Sequence, residues 1–329
     1  MKKIWLAIVA SMLFILGACN NEKIEPATAD SPNNEQTEQQ TVITIENNDT
    51  VQEYTEAPTR AISLNQHVTE IMLALGLEDS MVGTAYLDDE IYAPLQEKYK
   101  KVPVLAEQYP TKEQVINAEA DFLYGGWKSA FSEKGVGTPE ELAELGIHTY
   151  VQTSSTMTSP KLEDIFADIR NIAKIFRIED KGEALIEQMT ADVEAITEKL
   201  PQVETKLKVL VFDSGEQDVF TAAQNFMNEL VTIAGGENIF NDVEGNWTTV
   251  SKEDAVDRQP DVIVVIDYGS TTAEQKIAFL KQDPALSTIP AVQNERFVIL
   301  PLSAASEGVR VAEAIEILAK GFYPESFTN

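Results

Sequence analysis

The chain has 329 residues, with 54 acidic against 25 basic side chains and a formal net charge of −29. That length suffices for two domains with cores of their own, and the charge sets nucleic acid aside as a partner, because neutralising phosphates needs clustered Lys and Arg. A single cysteine excludes any intrachain disulfide. In chain order, residues 1–18 open with Lys2 and Lys3 and continue as an apolar run from Ile4 to Leu16. That run is too short for a comfortable membrane span and reads as a targeting signal. Residues 20–41 are polar and low in complexity, with no apolar period, so burial cannot offset the entropy of ordering them. Residues 19–41 are expected to form a flexible tether, and ordered structure to begin as a strand at Thr41–Ile45.

An α/β alternation follows, expected to build a first lobe over residues 42–178. Strands are predicted at 60–64, 81–84, 121–124 and 148–151. Helices are predicted at 66–75, stopped by Gly76, around 91–99, at 113–118, and at 139–145, stopped by Gly146. Ser159-Pro160 reads as the start of another helix with Pro in its first position, and its apolar stripe is Leu162, Ile165, Phe166, Ile169, Ile172 and Phe176. From about Asp180 to Leu200, the residues Leu185, Met189, Val193, Ile196 and Leu200 keep helical spacing against a polar face. Asp180 with Glu183 suggests a variant capping box, and Pro201 stops the helix. About twenty residues give a rod of roughly 30 Å. Residues 179–201 are thus expected to be a rigid strut between two similar lobes, the second over 202–329. That lobe is predicted to hold strands at 208–212, 261–266 and 296–300 and helices at 225–234, 253–258 and 308–320.

Two segments align without a gap: Lys112-Glu113-Gln114-Val115-Ile116-Asn117 through Asp121, and Lys252-Glu253-Asp254-Ala255-Val256-Asp257 through Asp261. Thr111 and Ser251 precede them as plausible N-caps. An acid in a first turn suits the helix dipole, but that does not require the same Lys-Glu at the same offset from a strand twice. The two lobes are therefore expected to be related folds.

The Leu16-Gly17-Ala18-Cys19 ending of the signal resembles a bacterial lipoprotein signal, which implies lipidation at Cys19. The stretches RAISLNQHVTEIMLALGLEDSMVGTAY, TKEQVINAEADFLYGG, GGENIFNDVEGNWTTVSKEDAVDRQPDVIVV and GVRVAEAIEILAKGFYPE resemble the substrate-binding proteins of bacterial ABC importers for iron-siderophores, haem and cobalamin. The resemblance covers about residues 58–323. It implies an α/β fold of two mainly parallel sheets flanked by helices and bridged by one long rigid helix, with a ligand cleft between the lobes. It also implies an extracytoplasmic, lipid-anchored monomer that hands its ligand to a permease dimer with a cytoplasmic ATPase. Matched to the family motif, Glu113 and Glu253 are the permease-docking residues. One departure is Ala120, where the family usually has Pro.

In open α/β sheets ligands bind beyond the carboxyl ends of strands. Reading past each strand nominates Asn65, His67, Tyr86, Trp127 and Tyr268, together with Trp247 in a loop ahead of the Glu253 helix and Arg310 at the start of the last helix. Aromatic rings there offer rigid apolar walls. His67 and Glu70 share a helix face at i, i+3 and could hold a metal, but a bare-metal receptor would carry a fuller ligand set, so no metal site is assigned and His67 is expected to line the cleft or cap its helix. No G-x-S-x-G, Walker A, H-E-x-x-H or complete G-x-G-x-x-G occurs, and the only cysteine is the lipidated one. No catalytic residue and no resident cofactor is expected. The expected ligand is a metal chelate, a ferric siderophore first, or haem or a corrinoid. The alternatives are a free Zn or Mn receptor and a lipid-anchored enzyme acting on a chelate.

Overall fold

Two sheets organise residues 42–328, which the computed structural model describes. The signal segment, Cys19 and the tether lie outside the described residues. The described chain opens as an antiparallel hairpin, β1 (Ile43–Asn47) and β2 (Thr50–Tyr54). Its two turn residues, Asn48 and Asp49, both have positive φ (49° and 62°), as a tight hairpin turn of matching twist requires.

The first sheet holds β3 (Ala61–Ser63), β4 (Met81–Ala85), β5 (Val104–Ala106), β6 (Phe122–Gly125) and β7 (His148–Val151), in the order β5-β4-β3-β6-β7 and parallel throughout. The inner strands β3 and β6 are buried along their whole length, which is why they read as continuous apolar runs rather than alternating ones. The free edge at β7 is covered by amide side chains of the hairpin. Asn47 donates to Val151 O (2.8 Å) and accepts from Val151 N–H (2.7 Å), and Thr149 N–H donates to Gln52 Oε1 (3.1 Å). Backbone groups of an edge strand are thereby satisfied without another strand.

The second sheet holds β8 (Leu207–Ser214), β9 (Val219–Ala222), β10 (Gly236–Asn238), β11 (Trp247–Val250), β12 (Val262–Asp267) and β13 (Phe297–Pro301). Its centre is parallel, β8-β12-β13, while β9 and β11 extend the other side antiparallel. The first residues of β8 pair with β10 and its last with β9. Trp247 therefore opens a strand rather than lying in a loop. Its run of four residues is too short and half-exposed to show a period.

Between the sheets in sequence lie two helices, Leu162–Ile175 and Glu179–Thr197. The first begins two residues after Pro160, not on it. Ser159 takes a left-handed φ of 51°, and the Lys161 backbone N–H donates to Asp164 Oδ2 (2.7 Å). The second carries no capping box, because it starts at Glu179 with Ile178 as its N-cap, a side chain with no acceptor, and Asp180 falls inside the first turn. Glu183 instead pairs with Arg170, whose Nε and Nη2 reach its two oxygens at 2.7 and 3.0 Å. It ends at Thr197, short of Pro201. Its buried residues Ile186, Met189, Val193 and Ile196 pack against the helix before it and the C-terminal helix Val311–Phe322. Gly182 permits the close approach, since a Cβ there would lie 2.6 Å from Ala173 Cβ. One apolar cluster runs through this helix from Ile71 and Phe122 in the first lobe to Val209 and Ile315 in the second. The helix Ala273–Gln282, absent from the sequence expectations, starts with a capping box of Thr272 and Gln275.

Candidate functional site

The strand order of the first sheet reverses at β3, between β4 and β6, which opens a crevice beyond the carboxyl ends of β3 and β6. Asn65, just after β3, ties the crevice together by accepting the Gly126 N–H on Oδ1 (3.0 Å). Gly126 must lack a side chain, because a Cβ would lie 2.3 Å from Cε1 of His67. His67 is buried against it, with its ring centroid 5.1 Å from that of Trp127 and, among the described residues, no partner for Nε2. Burial pushes its imidazole down to about 4, against the opposing effect of a hydrogen bond with the Gly126 backbone. A neutral ring thus backs Trp127.

In the second lobe Asp213 stands near the end of β8, Phe220 on β9, Trp247 on β11 and Tyr268 just past β12. Phe220 and Trp247 come from paired strands and stack with centroids 6.0 Å apart. The Tyr268 hydroxyl donates to Asp213 Oδ1 (3.0 Å). Lys276 lies under the Tyr268 ring, 4.5 Å from its centroid, and donates to Ile266 O (2.6 Å).

Asp213, Phe220, Trp247 and Tyr268, without Lys276, line a cavity of about 330 Å³, to which the first lobe contributes Trp127 and Ser155 and the second lobe most of the wall. Phe226, Asn225 and Glu307 are also among its lining residues. Asn225 is 2% exposed, accepts the Met227 N–H on Oδ1 (3.0 Å), and leaves Nδ2 without a partner among the described residues. The Glu307 carboxylate accepts from Ser155 Oγ across the lobes (3.1 Å), and burial raises its pKa. Burial, with Asp89 beside it, pushes Asp88 up to about 6. The charge of Asp88 is felt at Tyr268 of the opposite lobe.

Trp127, Trp247 and Tyr268, three of the residues nominated from the sequence, line this cavity. Asn65, His67, Tyr86 and Arg310 are not among its lining residues. Tyr86 adopts a left-handed φ of 57° and sets its ring 4.6 Å from that of Tyr109. Arg310 is buried in an ion pair between the lobes. Its Nε and Nη2 meet the two oxygens of Glu70 at 2.8 and 2.6 Å, and Glu70 Oε1 also accepts the Tyr92 N–H (2.9 Å). Glu70 therefore serves Arg310 rather than a shared metal position with His67. Ser303 Oγ to Asp89 (3.0 Å) and Gln152 Nε2 to Glu307 O (3.1 Å) tie the same layer. Asp213, Phe220, Asn225 and Glu307 escaped the sequence reading. Asp213 carried a signal, as an acid ending the apolar run VLVF, whereas Asn225 and Glu307 sit in loops with none.

The repeated Lys-Glu units adopt matching local structures. Thr111 Oγ1 accepts the Gln114 N–H and Ser251 Oγ the Asp254 N–H (3.2 and 3.0 Å). Glu119 and Gln259 share a φ of 49°. Asp121 and Asp261 each accept a backbone N–H at the start of the neighbouring strand, from Arg60 and Lys208. Lys112 pairs with Glu141 and Lys252 with Asp283, while Glu113 and Glu253 stand exposed in the first turns.

A family described as periplasmic binding protein matches residues 62–304. The chain belongs to that family. The binding protein is 26% identical to the uncharacterized ABC transporter substrate-binding lipoprotein YvrC of Bacillus subtilis over 339 residues, covering 98% of each chain. It is 27% identical to a vitamin B12-binding protein of Yersinia pestis over 212 residues, 64% of this chain and 70% of that one. Among solved structures, a periplasmic binding protein from Veillonella parvula superposes with a TM-score of 0.79 at 30% identity, covering 86% of this chain and 98% of that one. The two lobes, the helix between them and the cleft are thus the architecture of a solute receptor.

Proposed function

We propose that this binding protein is an extracytoplasmic receptor that captures a metal chelate or corrinoid between its lobes and delivers it to an ABC permease, without chemistry of its own. The observation that carries this reading is the cavity walled by rings from both lobes, Trp127 from the first and Phe220, Trp247 and Tyr268 from the second. Such walls suit a large ligand with an apolar face. A corrinoid gains support from the relative named for vitamin B12 binding, and anchoring at Cys19 from the relative named as a lipoprotein. A ferric siderophore is the competing ligand, and a panel of chelates separates them.

The signal for that experiment is built in. Trp127 and Trp247 are the only tryptophans beyond the targeting segment, and both line the cavity, so ligand binding should quench their fluorescence. Trp247→Ala should weaken binding by about 1–3 kcal/mol with a smaller change in melting temperature. Chelate recovered unchanged after long incubation is the expected chemical outcome. A loss of stability with affinity unchanged would assign Trp247 to packing and remove the cavity from the binding site.

A further inference from the structure

The charged groups that line the cavity have a consistent sign. Two of its lining residues, Asp213 and Glu307, are acids that are themselves buried, and none of the described residues lining it is Lys or Arg. The two buried Lys or Arg side chains among the described residues are committed elsewhere. Arg310 is held by Glu70, and Lys276 is bound to a backbone carbonyl behind the Tyr268 ring, where it offsets part of the Asp213 charge. Asp88 and Asp89 add negative charge from the first lobe. Among the described residues, the one unsatisfied buried side-chain group on the wall is a donor, Asn225 Nδ2, which needs an acceptor oxygen from whatever fills the space.

We infer that this cleft selects an uncharged or cationic ligand with a flat apolar face and carbonyl- or amide-bearing edges, and discriminates against anionic chelates. The inference rests on the receptor reading above and narrows its ligand class. An anionic chelate entering here would lose its hydration beside buried carboxylates, with no lining base to replace it. A carboxamide edge does the opposite, since its carbonyl takes the Asn225 N–H and its N–H₂ meets the acids. The rings supply the stacking face.

The test titrates the intact lipid-free chain with four probes by tryptophan quenching. Cyanocobalamin is uncharged with a carboxamide rim, ferrioxamine B is cationic, and haemin and ferric enterobactin are anionic. An uncharged or cationic probe should bind at least about 100-fold more tightly than either anion. Asp213→Asn keeps the acceptor for the Tyr268 hydroxyl and should narrow that gap about tenfold. Asn225→Asp keeps the acceptor for the Met227 N–H, removes the donor, and should weaken the preferred probe about tenfold. Tighter binding of haemin or ferric enterobactin overturns the inference and leaves the receptor reading standing. Failure of every probe to bind overturns both. An unchanged gap in a folded Asp213→Asn protein removes Asp213 from charge selection.

Discussion

His67 shows how one buried side chain couples the site to pH. Its imidazole, ordinarily near 6.5, is held at about 4 by burial. The unfolded chain takes up a proton below about 6.5, while the folded chain refuses it until about 4, so His67 costs stability as pH falls through that window. At 1.36 kcal/mol per pH unit the cost approaches about 3 kcal/mol by the lower end. Asp88 works the other way. Raised to about 6 from 3.8, it binds its proton more readily when folded, and its contribution fades as pH rises through 6. Melting of the wild-type protein and of His67→Gln, each at pH 7 and pH 4.5, separates the two. The variant should lose less on acidification, and an equal loss would mean that His67 is not the source. The position of His67 beyond β3 was legible in the sequence, but not its orientation. Whether a side chain past a strand end faces the cavity or its backing depends on what packs behind it, here Gly126.

The two short helices after Thr111 and Ser251 are the elements whose role outside the cleft can be tested. Each presents an exposed glutamate in its first turn, and each adjoining lysine is occupied by an acid of its own lobe. Among the described residues neither Glu113 nor Glu253 enters an ion pair. Exposed carboxylates of this kind contribute only about 0–1 kcal/mol to folding, whereas at an interface charge sets encounter rate and register. Glu113→Arg with Glu253→Arg is therefore expected to abolish uptake in cells, with solution affinity and melting temperature near wild type, and each single change to impair uptake in part. Normal uptake by the double variant would sink the docking role. These helices were readable because capping and the Lys-Glu spacing are local in sequence. The helix Ala273–Gln282 was equally readable from its Thr272 and Gln275 box, but its apolar period is weak. β9, β10 and β11 are short strands that gain their identity only by pairing with β8 or with one another.

For the whole molecule, the bridge and the layer of contacts between the lobes argue against a wide hinge. A nineteen-residue helix joins the lobes, an apolar cluster continues through it, and Glu70–Arg310, Asp89–Ser303 and Gln152–Glu307 fasten the lobes to each other. A buried ion pair broken by opening leaves two uncompensated charges. Small-angle scattering of free and ligand-loaded protein should therefore give nearly the same radius of gyration. A change of several ångströms would show a hinge that this layer does not restrain.

Periodicity, capping and turn residues act within a few positions, so the α/β alternation, the long helix and the repeated Lys-Glu units that relate the lobes were legible along the chain. Even there the boundaries shifted by a few residues, as when the long helix began at Glu179 and left Asp180 inside its first turn rather than at its cap. The composition of the cavity was of another kind. It joins Trp127 to Trp247 and Ser155 to Glu307, residues far apart in the chain, and it leaves Arg310 out because Glu70 claims it first. Only the tertiary structure could decide that, since burial and partner choice are properties of surroundings assembled from both lobes, and no local pattern encodes which charge will find its partner and which donor will be left facing an empty space.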